Sequence, residues 1–177
     1  YKGIGIPEEK LRLREHEENE LAHYASKTVD IEFDYPWGWG ELEGIANRSS
    51  FDLSSHESAS GKDLSYFDSE TNEKIAPVVI EPAGGLTRTL FALLCSTYDE
   101  EIINDTTRTL FRFNFEIAPV QIGILPLSKK EELIKVSKDI QQNLQKFYRT
   151  EVDVTQSIGK RYRRQDEIGT PYCVTID

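Results

Sequence analysis

The stretch Val79–Leu94, VIEPAGGLTRTLFALL, decides how the chain is read. Val78, Val79 and Ile80 predict a buried strand. Beyond Gly85 the apolar residues fall at Leu86, Leu90 and Leu93 and at Phe91, Leu94 and Tyr98, the spacing of a helix with one apolar face. A strand, a tight glycine turn and a helix therefore follow one another. Glu81 sits at the strand end and Arg88 in the first helical turn. A cation there opposes the helix dipole, which favours anions at that end. The placement calls for an anion nearby, either a protein carboxylate or a ligand phosphate.

Around this stretch lie 177 residues, enough for one domain or two small ones. Hydrophobic content of 38% and charged content of 29% fit a soluble globular protein with a real core. No apolar run reaches the length of a membrane helix and no signal-peptide pattern opens the chain. Methionine is absent, so Tyr1 is not an initiator and the chain reads as a piece of something longer. A net charge of −10 argues against non-specific nucleic-acid binding by the whole surface. Cys95 and Cys173 read as small buried residues of a reducing compartment, not as a disulfide framework.

On the N-terminal side, Pro7–Ser26 predicts a strand or turn followed by a short helix. Its HEENELAH segment is not H-E-x-x-H, because the fifth position is Glu20 and His23 comes too late; structural histidines fit better than a metal site. In the strand around GWGELEGIAN, period-two alternation puts Trp39, Glu41, Glu43 and Ile45 on one face. Two acids together there describe either an edge strand with solvated carboxylates or a pocket floor that takes an amine, an adenine amino group or a metal. Ser54–Glu73 reads as a surface loop or hairpin. After the helix, DEEIINDT is acidic, RTLFRFNFEIAP is a short apolar bridge, and Pro119 marks a boundary.

Beyond that boundary VQIGILPL is a strand. A helix follows, with Leu133, Val136, Ile140, Leu144 and Phe147 at spacings of three and four. EVDVT and PYCVTID are further strands, with SIGKRYRRQDEIG helical between them. This β-α-β-α-β order predicts a small α/β domain with a largely parallel sheet. Lys160, Arg161, Arg163 and Arg164 form either a solvated helix face balanced by Asp166 and Glu167 or a basic patch for nucleic acid.

Three stretches together, WGELEGIANRSSFDLSSH, VIEPAGGLTRTLFALL and IGKRYRRQDEIGTPYCVTID, resemble the class II glycyl-tRNA synthetases of the homodimeric type; AHYA and APVQIGILPL agree with them. The resemblance implies an α+β fold. Residues 1–116 would be the C-terminal half of a class II catalytic domain on an antiparallel sheet, with motif 3. Residues 117–177 would be a truncated α/β anticodon-binding domain. By the same resemblance Glu81, Pro82, Ala83, Gly84 and Gly85 line a glycine pocket. Glu41, Leu42, Gly85, Leu86, Thr87 and Arg88 contact ATP, Arg88 being the motif 3 arginine. Lys160, Arg161, Arg163 and Arg164 fall in the domain that meets tRNA.

The implied activity is a glycine–tRNA ligase: ATP-dependent formation of glycyl-adenylate, then transfer to tRNA(Gly). The implied partners are glycine, ATP with its Mg²⁺, tRNA(Gly) and a second copy in a homodimer; zinc and membranes are not expected, and the compartment is the cytoplasm. Arg88 then makes sense, since a guanidinium forks onto a phosphate oxygen beside a helix N-terminus. A filled pocket selects glycine by size, as overlap rejects larger side chains. Nothing in the chain resembles class II motifs 1 and 2, so this segment alone is expected not to make glycyl-adenylate. Ala83 stands where the family usually has serine. The alternative is a non-catalytic synthetase-like subunit that binds nucleic acid or protein; Glu41, Glu81, the glycines and Arg88 favour the enzyme and Ala83 does not.

Overall fold

In the computed structural model, which describes residues 1–177, the chain divides into two units: Pro7–Ala92, and Tyr1–Ile6 together with Leu93–Asp177. The first unit runs β1 (Leu11–Glu15), β2 (Lys27–Tyr35), β3 (Gly38–Ser49), α1 (Phe51–Ser60), the small hairpin β4 (Tyr66–Asp68) and β5 (Glu73–Ile75), and β6 (Val79–Gly84); α2 (Leu86–Thr97) begins in it. Strands β1-β2-β3-β6 form one antiparallel sheet in that order. Phe33, Tyr35, Leu42 and Ala92 are its buried apolar residues. Tyr35 and Trp37 stack in parallel at 5.0 Å, and Phe91 of α2 closes the stack.

Two bulges shape β3. Glu43 pairs with Ile31 but Glu41 pairs with Glu32, so Leu42 is an extra residue there, and it is only 1% exposed. Paired residues of an antiparallel ladder share a face. Trp39 and Glu41 therefore lie on the face of Asp34, Glu32 and Asp30, while Glu43 and Ile45 lie on the face of Ile31 and Val29. The single face expected for Trp39, Glu41, Glu43 and Ile45 is thus split, because a bulge shifts the period-two count by one. A second bulge lies between Asn47 and Ser49, with Ser49 in the left-handed region at φ 49°.

Other expectations are corrected here. Val78 and Ile80 are 59% and 55% exposed, because β6 is the sheet's edge strand and not a buried one. Neither Gly84 nor Gly85 takes a positive φ: the strand runs to Gly84 and the helix starts at Leu86, without a left-handed turn. No helix forms within Pro7–Ser26; a single 3-10 turn at Glu8–Lys10 leads into β1, and turns follow it. Within Ser54–Glu73 the hairpin β4–β5 forms, but its first residues belong to α1, which ends on Gly61 in the left-handed conformation (φ 67°).

The second unit contains the antiparallel hairpin β7 (Tyr98–Ile103) and β8 (Thr106–Phe111), then β9 (Ile122–Pro126), α3 (Glu131–Leu144), β10 (Thr150–Val152), α4 (Ile158–Glu167) and β11 (Tyr172–Ile176). The acidic segment and the apolar bridge are thus the two arms of one hairpin. Its turn residues Asn104 and Asp105 both have positive φ, 49° and 57°, as the tightest hairpin turn requires. Strand β9 lies between β10 and β11, parallel to both, which is the sheet the β-α-β-α-β pattern predicts. Ile124 and Leu125 are fully buried in it. Gly123 is a close approach: a Cβ there would sit 3.1 Å from Gln165 Oε1. Both cysteines are half-buried, and burial pushes the Cys173 thiol up to about 11.

Candidate functional site

One face of the four-stranded sheet holds a cavity of about 240 Å³, lined by His16, Glu20, Ala22, Tyr24, Thr28, Asp30, Glu41, Gly44, Ala46, Glu81 and Ala83. The register explains the set: Gly44 pairs with Asp30 and Ala83, and Ala46 pairs with Thr28 and Glu81. Gly44, Ala46 and Ala83 therefore make a floor of small residues. The carboxylates of Glu20, Asp30, Glu41 and Glu81 stand around it.

Each carboxylate has a fixed partner. Arg48 Nη1 donates to Glu81 Oε2 at 2.8 Å. The same guanidinium forks onto Asp52 of α1, Nε to Oδ2 at 2.6 Å and Nη2 to Oδ1 at 2.8 Å, and lies 3.9 Å from the centre of the Tyr24 ring. These bonds hold the Asp52 carboxyl below its ordinary range and raise the Arg48 guanidinium. His16 Nε2 meets Asp30 Oδ2 at 2.7 Å. Glu20 accepts from the Glu17 N–H and from Arg14, which lower its carboxyl. Arg88 Nη1 donates to the main-chain oxygen of Glu41 at 3.0 Å and lies 3.9 Å from its carboxylate.

Of the residues expected to bind glycine, Glu81 and Ala83 line the cavity, whereas Pro82 and Gly84 pair with Ile45 and Glu43 on the opposite face. Gly85 directly precedes α2, and its carbonyl accepts from the Thr89 N–H and hydroxyl. Of the residues expected to bind ATP, Glu41 lines the cavity and Arg88 reaches it through Glu41. Leu42 is only 1% exposed as a whole residue and does not line the cavity, and Leu86 is 86% exposed. Sequence reasoning missed Asp30, Arg48, Asp52 and Tyr24. The signal for Arg48 was the i,i+4 spacing to Asp52, legible only once α1 is known to follow β3.

The basic segment does not form one patch. Arg161 is 1% exposed and gives its guanidinium to the carbonyl oxygens of Thr155, Val154, Gln156 and Pro126, so it is not available to RNA. Arg164 is spent on Asp153, Gln156 and the Thr155 carbonyl. Asp166 pairs with Arg108 rather than with the basic segment. Lys160 is exposed, and Arg163 is an exposed pair with Glu167 at i,i+4.

Residues 121–177 match the family model of the anticodon binding domain. Over 99% of its length the chain is 52% identical to the glycine–tRNA ligase of Lachnospira eligens, and over 98% it is 54% identical to that of Ruminiclostridium cellulolyticum. The chain matches a segment of the glycine–tRNA ligases. It spans 38% and 37% of the length of those two relatives. In fold, the chain superimposes with a TM-score of 0.63 on a prolyl-tRNA synthetase from Cryptosporidium parvum, solved with L-proline and AMP; the likeness covers 94% of this chain and 34% of that one at 17% identity. The fold is accordingly that of a class II synthetase: an antiparallel sheet, followed in sequence by an α/β anticodon-binding fold. No helix is long and apolar enough to cross a membrane.

Proposed function

We propose that this segment supplies the rear of the catalytic domain, residues 1–116, and the first part of the anticodon-binding domain, residues 117–177, of a cytoplasmic homodimeric glycine–tRNA ligase. The observation that carries the reading is the small-residue floor of Gly44, Ala46 and Ala83 beneath the Glu81 carboxylate. An ammonium gains a charge-assisted hydrogen bond from such a carboxylate. A floor with no side chain beyond a methyl leaves room for a short zwitterion to approach the sheet backbone.

Arg88, held at the Glu41 carbonyl, takes a phosphate oxygen of ATP, and the Glu41 carboxylate takes a donor group of the nucleotide. The glycine carboxylate attacks the α-phosphate, pyrophosphate leaves, and glycyl-adenylate remains. The ribose hydroxyl at the tRNA end then attacks the glycyl carbonyl and AMP leaves. The chain's own part is alignment and charge stabilisation, with no covalent nucleophile. Mg²⁺ would arrive with the nucleotide and offset phosphate charge. The exposed Glu41 carboxylate, one oxygen donor rather than a cage, fits an ion that keeps phosphate and water ligands. Of the basic segment in the second unit, Lys160 and Arg163 are the side chains left to meet tRNA(Gly) phosphates.

The test is ATP–pyrophosphate exchange by the full-length polypeptide that carries this segment. Exchange that depends on glycine and is absent with alanine is the expected result; exchange indifferent to glycine would refute the reading. In R88A the exchange rate falls by about 10²-fold with glycine binding preserved.

A further inference from the structure

The second bulge of β3 places Arg48 as an extra residue between the pairs Asn47–Ile80 and Ser49–Val79. It is a built feature: Ser49 takes a left-handed φ of 49°, and its N–H donates to Asn47 Oδ1 at 3.0 Å. Bulges of this kind re-aim a side chain. Here the re-aimed side chain is held on three sides. Asp52 uses Nε and Nη2 as a fork, the Tyr24 ring covers the guanidinium plane, and only Nη1 is left to point at Glu81. Arg48 is mostly buried, at 18% exposure, while Glu81 is half exposed.

The charges raise a question that the geometry answers. An arginine bonded directly to Glu81 would cancel the carboxylate's pull on a substrate ammonium. Asp52 supplies a second negative charge on the far side of the guanidinium and lies outside the cavity lining. The trio Asp52, Arg48 and Glu81 therefore carries one net negative charge, and Glu81 keeps one oxygen outside the Arg48 bond. A free glutamate on an edge strand would sample several rotamers, each of them lost on binding.

We propose that Arg48, clamped by Asp52 and Tyr24, is the positioning residue that aims the Glu81 carboxylate into the cavity, and that Asp52 offsets the arginine's charge so that the site still draws a primary ammonium. The inference rests on the reading of this cavity as the glycine amine pocket. Its two halves predict differently. If charge alone mattered, removing Arg48 would make the cavity more negative and tighten ammonium binding. If aiming matters, removing Arg48 weakens it.

The experiment measures KM for glycine and for ATP in exchange by the full-length protein, in D52N, R48K, R48Q, E81Q and the double variant R48Q/E81Q, with melting temperatures alongside. D52N raises the glycine KM about tenfold and leaves the ATP KM unchanged, because it removes a charge without touching the cavity. R48Q raises it by a similar factor, and R48K by less, since lysine keeps the charge but not the fork. R48Q/E81Q is no worse than E81Q, because Arg48 acts through Glu81. If R48Q lowers the melting temperature, D52N and R48K decide. An unchanged or lower glycine KM in D52N and R48Q beside a raised one in E81Q overturns the clamp alone. An unchanged glycine KM in E81Q overturns the clamp and the amine-pocket reading together.

Discussion

At position 83 the cavity floor carries a methyl group, opposite Gly44 in the ladder. A hydroxyl at this point adds a hydrogen-bond partner for a substrate amine, so A83S in the full-length protein lowers the glycine KM by roughly 2–10-fold, the worth of one neutral hydrogen bond. Gly169 is constrained in another way. Its φ is +75°, and a Cβ there would lie 2.4 Å from the Phe113 ring and 2.9 Å from Phe111 Cβ. G169A therefore destabilises the chain by about 2 kcal/mol or more, measured by urea unfolding. Arg161 and Arg163 stand two residues apart and behave oppositely. R161A leaves four carbonyl oxygens without their donor and costs about 3 kcal/mol, while R163A costs less than about 0.5. The sequence reading grouped the two because residue type alone sets no facing. The i,i+4 pair Arg161 and Gln165, both buried, marks an inward stripe without an apolar residue in it, and hydrophobic periodicity is blind to such a stripe.

Elements with strong patterning were legible. The α3 stripe, the apolar run of β9 and the alternation of strands and helices after Pro119 predicted the parallel sheet. Helix α1 was not legible because it buries none of its residues; it is tied to the sheet through Asp52 and Arg48. The Leu42 bulge was not legible either, since nothing in GELEG says which residue is extra. The β7–β8 hairpin was hidden by composition, although Asn104-Asp105 is a turn pair of the right kind. Glycine has no cost at positive φ, so D105G stabilises the second unit by about 0.5–1 kcal/mol, seen as a raised melting temperature.

The hairpin carries its own charge lattice, with Asp99 and Glu101 accepting from Arg112 and Glu101 from Arg108. These bonds lower both carboxyls. Asp153 is lowered too: burial pushes it up, but the Thr155 N–H and the Arg164 guanidinium outweigh that. All three groups are more acidic folded than unfolded. The stability they lend is complete above about pH 4, the ordinary carboxylate value, and is lost as pH falls through the lowered values. Melting temperature is expected to drop as the pH falls below about 4, and D153N to flatten that drop.

For the molecule as a whole, the order of long, compositionally odd stretches pointed to the glycine–tRNA ligases, and the antiparallel sheet followed from that resemblance. What the order could not supply is which carboxylates share a face, because two bulges decide that. With glycine and ATP proposed on one sheet face, and nothing in the 177 residues resembling class II motifs 1 and 2, the chain by itself is expected to show no glycine-dependent pyrophosphate exchange. The most direct measurement of the central claim is the glycine KM of E81Q against the unsubstituted full-length protein, with the ATP KM as the internal reference. A rise of roughly 10–100-fold for glycine with ATP unaffected, the loss of one charge-assisted bond, is the predicted result. An unaltered glycine KM in folded E81Q would contradict it.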